Sequence, residues 1–236
     1  MKPVALHEML GENFFARVTA AQFNSLTKRY RNQDAAKDVS LDTLSDEQWQ
    51  SYFGAFTPFP DSFKTPLALC YHGHQFGIYN PEIGDGRGFL YAQLREDTTN
   101  RLLDLGTKGS GTTPFSRSGD GRLTLKGAVR EILASEYLNA LSVNSCKILS
   151  VFETEEQLHR NDEPSPTRAA VLVRLSHSHI RIGSFQRLAY LNQPQEILTL
   201  ARYVARYYYP DIDPESPPEA LLLGLLEALI ICENAA

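Results

Sequence analysis

YHGHQFGIYNPEIGDGRGFL (residues 71–90), DLGTKGSGTTPFSRSGDGR (104–122) and LKGAVREILASEYL (125–138) decide how this 236-residue chain folds. In order they give a glycine-rich turn, an apolar run ending on a lone lysine, a second glycine-rich turn, and a helical pattern carrying glutamates. Glycine lets backbone approach a ligand closely, and successive amides in such turns form anion-binding concavities. Lysine is a compact positive charge, and a glutamate on a helix can hold it in place. These parts, in this order, are what a kinase-type nucleotide site needs.

The flanking sequence supplies the rest of an α+β pattern. GFLYAQLRED and RLLDLGTK are apolar runs joined by a polar connector, a hairpin signal that puts Lys108 at the end of the second strand. From Thr124 to Leu141, the spacing of Leu125, Val129, Ile132, Leu133, Leu138 and Leu141 predicts a helix. CKILSVFETE and RAAVLVRLS read as two strands around the acidic, proline-containing loop EEQLHRNDEPSPT. EILTLARYVARYYY reads as a helix, PDIDPESPPE as a break, and ALLLGLLEALIIC as a final helix. Glu227 interrupts that last segment, which is too short to span a bilayer. Before Pro66 the chain is a preamble in which FFARVTAAQFNSL and LDTLSDEQWQSYFGAF predict short helices, with Ser45 as an N-cap. Strands, one interposed helix, then helices is the order of a β-rich lobe leading into a helical one.

Composition narrows the function classes. Hydrophobic residues at 42% and charged residues at 22% suit a globular protein in water. A net charge of −5 argues against a general nucleic-acid binder. The charge is uneven: Arg101–Arg130 holds six Lys/Arg and two Asp, whereas everything from Asp211 onward is acidic or neutral. The basic stretch suits polyphosphate. Cys70, Cys146 and Cys232 are scattered, with no C-x-x-C pair, which points to a reducing, cytoplasmic setting. The N-terminus carries no long apolar signal core, and no membrane association is expected.

Individual residues then stand out. GDGRG, with Gly84, Gly86 and Arg87, is good turn chemistry and also a close-approach loop; it is neither a dinucleotide fingerprint nor a Walker A loop. Lys108 has two possible helix partners, Glu131 and Glu136, which lie about 140° apart around the helix and so cannot face it equally. Asp120 and Gly121 sit in the second turn. Arg174 interrupts the apolar run AAVLVRLS, where an arginine needs an anionic partner, and Arg181 follows seven residues later. Two such guanidinium groups can grip a phosphate bidentately. His72 and His74, like His177 and His179, have a spacing that can chelate, but without an evident third ligand they read as packing or hydrogen-bonding residues.

GHQFG, GDGRG, LGTKGSGTTPFSR, GDGR, VREILASE and LVRLSHSHIRIGSFQ together resemble the selenoprotein O family, the YdiU-type protein adenylyltransferases, over roughly Phe14–Tyr209. The resemblance implies a protein-kinase-like fold, with residues 1–193 as extension and N-lobe and 194–236 as the start of a helical C-lobe. It implies ATP bound in reversed orientation and transfer of AMP to Ser, Thr or Tyr hydroxyls of other proteins, with pyrophosphate released. It assigns Gly84, Gly86, Arg87, Asp120 and Gly121 to the nucleotide, pairs Lys108 with Glu131, and gives Arg174 and Arg181 the γ-phosphate. The family's Asp and Asn for acid–base work and magnesium lie in HGVMNTDN-like and DYGP-like stretches that this sequence does not contain. The expectation is therefore an N-terminal half: catalytic only with a separately encoded C-terminal half, or else a non-catalytic nucleotide binder or inactive remnant. A final helix robbed of its neighbours would favour self-association.

Overall fold

The computed structural model describes residues 1–234, with side chains described through residue 228. In chain order, strands β1 (Pro3–Val4), β2 (Phe15–Arg17) and β3 (Thr27–Arg31) precede helices α1 (Gln33–Lys37) and α2 (Asp46–Phe53). Strands β4 (Leu67–Leu69), β5 (Gly73–Gln75), β6 (Ile78–Asn80), β7 (Leu90–Arg95), β8 (Leu102–Lys108) and β9 (Leu123–Thr124) lead to α3 (Leu125–Ala140). Then come β10 (Lys147–Leu158), β11 (Thr167–Ser176) and helices α4 (Ile182–Tyr190), α5 (Pro194–Tyr208) and α6 (Pro218–Asn234). Among the described residues nine strands form one antiparallel sheet, ordered β2-β4-β7-β8-β11-β10-β3, with β1 on β7 and β9 on β11. The separate β5–β6 hairpin stands beside it. No described helix is long and apolar enough to cross a membrane.

Alternation along the central strands separates two faces. Leu103 and Leu105 of β8 and Val171, Val173 and Leu175 of β11 enter the largest core, under α1 and α2. That core is sealed by Trp49 and Phe53, both fully buried on α2. Ser45 caps this helix reciprocally: its hydroxyl accepts from the Gln48 amide at 3.2 Å, and the Gln48 side chain accepts from the Ser45 amide at 3.0 Å. Trp49 Nε1 donates to Ser150 Oγ at 2.9 Å, satisfying the one polar atom of an otherwise dry side chain. On the opposite face α3 covers β10 and β11 through Ala128, Leu123 and Leu172.

The structure departs from the sequence reading at several elements. FFARVTAAQFNSL is strand β2 and an irregular segment, not a helix. Phe14 and Phe15 are drawn into a cluster with Leu67, Leu69, Leu90, Leu188 and Leu200 that joins the sheet to α4 and α5. Helix α4 was not anticipated: its nine residues IGSFQRLAY are few, and Gly183 and Ser184 in its first turn are weak helix formers. Its start is instead fixed by a tertiary bond, from the His72 amide to the Gly183 carbonyl at 3.0 Å. Helix α3 forms as expected, with Thr124 accepting from the Gly127 amide, but Leu133 and Tyr137 are 65% and 67% exposed. The inner face carries Ala128 and Ser135, small enough to sit close on the strands, with Leu125 and Ile132 packed beside them, while Leu133 and Tyr137 point outward.

A polar seam lies where the sheet meets α5. Asp104 on β8 is fully buried and accepts hydrogen bonds from Gln93 Nε2 (2.8 Å), Tyr208 OH (2.9 Å) and the His179 amide (2.8 Å). Burial pushes its pKa up to about 6, against the pull of those three donors. In the final helix, Leu221 and Leu225 pack on Ala201 and Ala205 of α5, while Leu222, Leu223 and Leu226 are exposed. The side chain of Cys232 lies outside the described residues.

Two outcomes follow from this packing. Trp49→Phe leaves Ser150 Oγ without its donor and opens a void, and it should cost about 2 kcal/mol of stability in urea unfolding. Asp104 binds its proton more tightly folded than unfolded, so its contribution is complete below the unfolded value of 3.8 and is lost as pH rises through about 6. Asp104→Asn has no such titration. Its unfolding free energy relative to the parent should therefore rise by about 2 kcal/mol between pH 4 and pH 7. Parallel pH profiles for the two proteins would contradict this.

Candidate functional site

The pairing of β8 with β11 builds the floor of the site. Lys108 lies opposite Leu172, Gly106 opposite Arg174 and Asp104 opposite Ser176, and cross-strand partners share a face. Lys108 and Arg174 thus emerge on the same side of the sheet, away from the α1–α2 core. This is why an arginine is tolerated in AAVLVRLS: it belongs to the face that Val171 and Val173 do not occupy. Lys108 Nζ makes an ion pair with Glu131 of α3, both side chains about one-quarter exposed. Glu136 turns elsewhere and accepts from Tyr30 OH at 2.8 Å.

The two glycine-rich turns close over this floor as one body. Thr113 Oγ1 donates to the Asp85 carbonyl and Ser116 Oγ to the Gly86 carbonyl, each at 2.5 Å. Between these bonds the Phe115 ring fills the space above Gly84, where a Cβ would come within 2.4 Å of a ring carbon. Glycine at 84 is therefore required by a neighbouring aromatic ring of this chain.

Floor and turns enclose a cavity of about 820 Å³. Gly84, Gly86, Arg87, Lys108, Asp120, Gly121, Arg174 and Arg181 all line it, and Glu131 reaches it through Lys108. Seven cationic side chains face the cavity: Arg87, Lys108, Arg117, Arg122, Arg160, Arg174 and Arg181, against the carboxylates of Asp85 and Asp120. Arg122 is held by Glu156 at 2.8 Å and Arg160 by Asp120 at 2.8 Å. Among the described residues no carboxylate lies within ion-pairing distance of Arg87, Arg117, Arg174 or Arg181. Arg181 stacks over the Tyr71 ring, 4.9 Å from its centroid, and Arg174 Nε donates to His179 Nε2 at 3.1 Å. Asp85 accepts from the Leu69 amide at 3.1 Å. Burial raises its pKa, a shift that the Leu69 amide and the two nearby arginines oppose. A cavity with this excess of positive charge is suited to a polyanion.

Several residues here escaped the sequence reading. Asp85 was hidden inside a turn motif, where aspartate is ordinary. Asp104 carried a usable signal, since a charged residue inside the apolar run LLDL has to find buried partners. Phe115, Arg117 and Arg160 carried none, because loop residues are gathered by tertiary structure alone. Of the four histidines of the paired motifs, His72 and His179 are buried, His177 is half-buried and His74 is exposed: His72 Nδ1 bonds Tyr79 OH at 2.7 Å, the His74 ring meets Tyr79, and the His177 ring meets Tyr208 and Tyr209.

The sequence matches the family model described as "Protein adenylyltransferase SelO" over residues 3–228. It is 50% identical over 221 residues to a protein nucleotidyltransferase YdiU of Trichormus variabilis, covering 93% of this chain and 44% of that protein. The same-named protein of Synechocystis sp. is 46% identical over 225 residues, covering 94% of this chain and 46% of the relative. That of Vibrio cholerae is 36% identical over 195 residues, covering 83% and 37%. The chain spans less than half the length of these curated relatives. With a match running across nearly all of the fold and through every element that builds the cationic cavity, the chain belongs to the protein adenylyltransferase SelO family.

Proposed function

We propose that this chain forms the nucleotide-binding part of a protein-kinase-like adenylyltransferase that moves AMP from ATP to a Ser, Thr or Tyr hydroxyl of a protein. The observation that carries this reading is the cavity in which Lys108, fixed by Glu131, faces two arginines that lack a carboxylate partner. In this reading residues 1–193 are the extension and N-lobe, and 194–236 begin the helical lobe. Arg174 and Arg181 hold the terminal phosphate deep in the cavity, Lys108 contacts the phosphate chain, and the laced turns at 84–87 and 120–121 cover it. The α-phosphate then faces outward. The acceptor oxygen bonds to the α-phosphorus, the bond to the bridging oxygen breaks, and pyrophosphate leaves. The arginines that grip the terminal phosphate also stabilise the charge that develops on that leaving group.

The residues present fit the phosphates of a nucleotide better than they fit magnesium. Among the described residues no group of three His, Cys, Asp or Glu side chains is placed to hold a metal. The two cavity carboxylates are already engaged, Asp85 by the Leu69 amide and Asp120 by Arg160. We therefore assign no step to the metal, and we expect the proton acceptor and metal ligands of the family reaction to come from a C-terminal half. Free Cys70 and Cys146 are in keeping with a reducing cytoplasmic setting.

Calorimetry tests the pocket. Lys108→Ala should weaken ATP binding about tenfold, the loss of a charge-assisted contact, and equal heats for the two proteins would sink the assignment. Transfer of label from α-labelled ATP to protein tests the chemistry. The 236-residue chain alone should label little, because metal and positioned charge supply most of the transition-state stabilisation. Labelling should appear when the C-terminal remainder of a curated relative is added, and disappear again with Lys108→Ala. Strong labelling by the chain alone, abolished by Lys108→Ala, would instead place the catalytic acid within these residues.

A further inference from the structure

Arg174 is held from behind by a side chain for which the sheet makes room. Its cross-strand partner is Gly106, and a Cβ at that position would fall 1.9 Å from His179 Nε2. The His179 ring therefore lies against bare backbone of β8, in the volume a side chain there would fill. From this seat Nε2 accepts from Arg174 Nε at 3.1 Å. The same residue is anchored through its amide to Asp104 Oδ2 at 2.8 Å, and its Nδ1 stands 3.8 Å from that oxygen. Asp104 is in turn clamped by Gln93 and Tyr208.

Only a neutral imidazole can accept from an arginine. Burial, followed by the positive charges of Arg174 and Arg181, holds the His179 pKa well below its ordinary value. With Nε2 as acceptor, the single ring proton is assigned to Nδ1, on the side of Asp104. A guanidinium caught at Nε keeps its two terminal nitrogens free, in the plane that grips an anion bidentately. Arg181 has a different support, the face of Tyr71, which constrains its distance but leaves its rotation in the plane open.

We propose that His179 is a positioning residue of this site, holding the Arg174 guanidinium by Nε so that its two terminal nitrogens stay presented to the terminal phosphate of a bound nucleotide. The inference rests on the nucleotide reading of the cavity. His179 itself touches no phosphate in this arrangement; it acts through Arg174, and Gly106 and Asp104 act through His179.

The test compares ATP and adenosine affinities by calorimetry in the parent, His179→Leu, His179→Gln, Arg174→Ala and the Arg174→Ala/His179→Leu double variant. His179→Leu should lose on the order of tenfold in ATP affinity, the usual size of an outer-shell effect, with adenosine unchanged. His179→Gln, whose side-chain oxygen also accepts from Nε, should restore most of the loss. In the double variant the loss should not exceed that of Arg174→Ala alone. Unchanged ATP affinity in His179→Leu, equal weakening of ATP and adenosine, or additive losses would each overturn the proposal. A parent that binds neither ligand would overturn the nucleotide reading instead. Should His179→Leu fail to fold, proton–nitrogen NMR of the parent decides. An Arg174 Nε–H protected from water exchange, with His179 unprotonated at Nε2, supports the proposal; a rapidly exchanging Nε–H refutes it.

Discussion

The register between β8 and β11 is the constraint on which the rest of this molecule depends. A slip of one residue in either strand would invert that strand's faces and turn its own cation, Lys108 of β8 or Arg174 of β11, into the α1–α2 core. The register is secured on the core side by Leu103, Leu105, Val171, Val173 and Leu175, all of them buried. On the other side Gly106 admits only the His179 ring. Hydrophobic burial thus sets the geometry of a group of charges that would otherwise repel one another.

That repulsion is handled unevenly. Lys108, Arg122 and Arg160 are each neutralised by a carboxylate of the chain itself, whereas Arg174 and Arg181 are steadied by uncharged partners, an imidazole and a phenol ring. Neutral supports fix direction without cancelling charge, so the positive field survives where an anion would sit. Asp85 interacts with both of these arginines, and its carboxyl is pulled upward by burial and downward by their charge.

What the sequence disclosed and what it withheld divide along physical lines. The β7–β8 hairpin, strands β10 and β11, and helices α2 and α5 follow local period and capping, so Ser45, Thr124 and the alternation in RLLDLGTK were sufficient guides. Helix α4 and strand β2 depend on tertiary contacts of His72, Phe14 and Phe15, which no local pattern encodes. Spacing alone left Glu131 and Glu136 as rivals, and it did not show that Leu133 and Tyr137 of α3 would face outward. Grouping Gly84, Lys108, Asp120 and Arg181 came from likeness of motifs; the physical cause of their proximity is the folding of two distant turns onto one sheet face.

Those turns carry a consequence for how the site can change over time. Phe115 occupies the volume that makes glycine obligatory at 84, and Thr113 and Ser116 bond to the two carbonyls that follow it, those of Asp85 and Gly86. Neither turn can be reshaped by itself: a side chain at 84 is blocked while the ring remains, and removing the ring leaves a gap above a bare backbone. Divergence in this part of the molecule must therefore proceed by paired replacement, and the two segments, thirty residues apart, inherit their sequences as one.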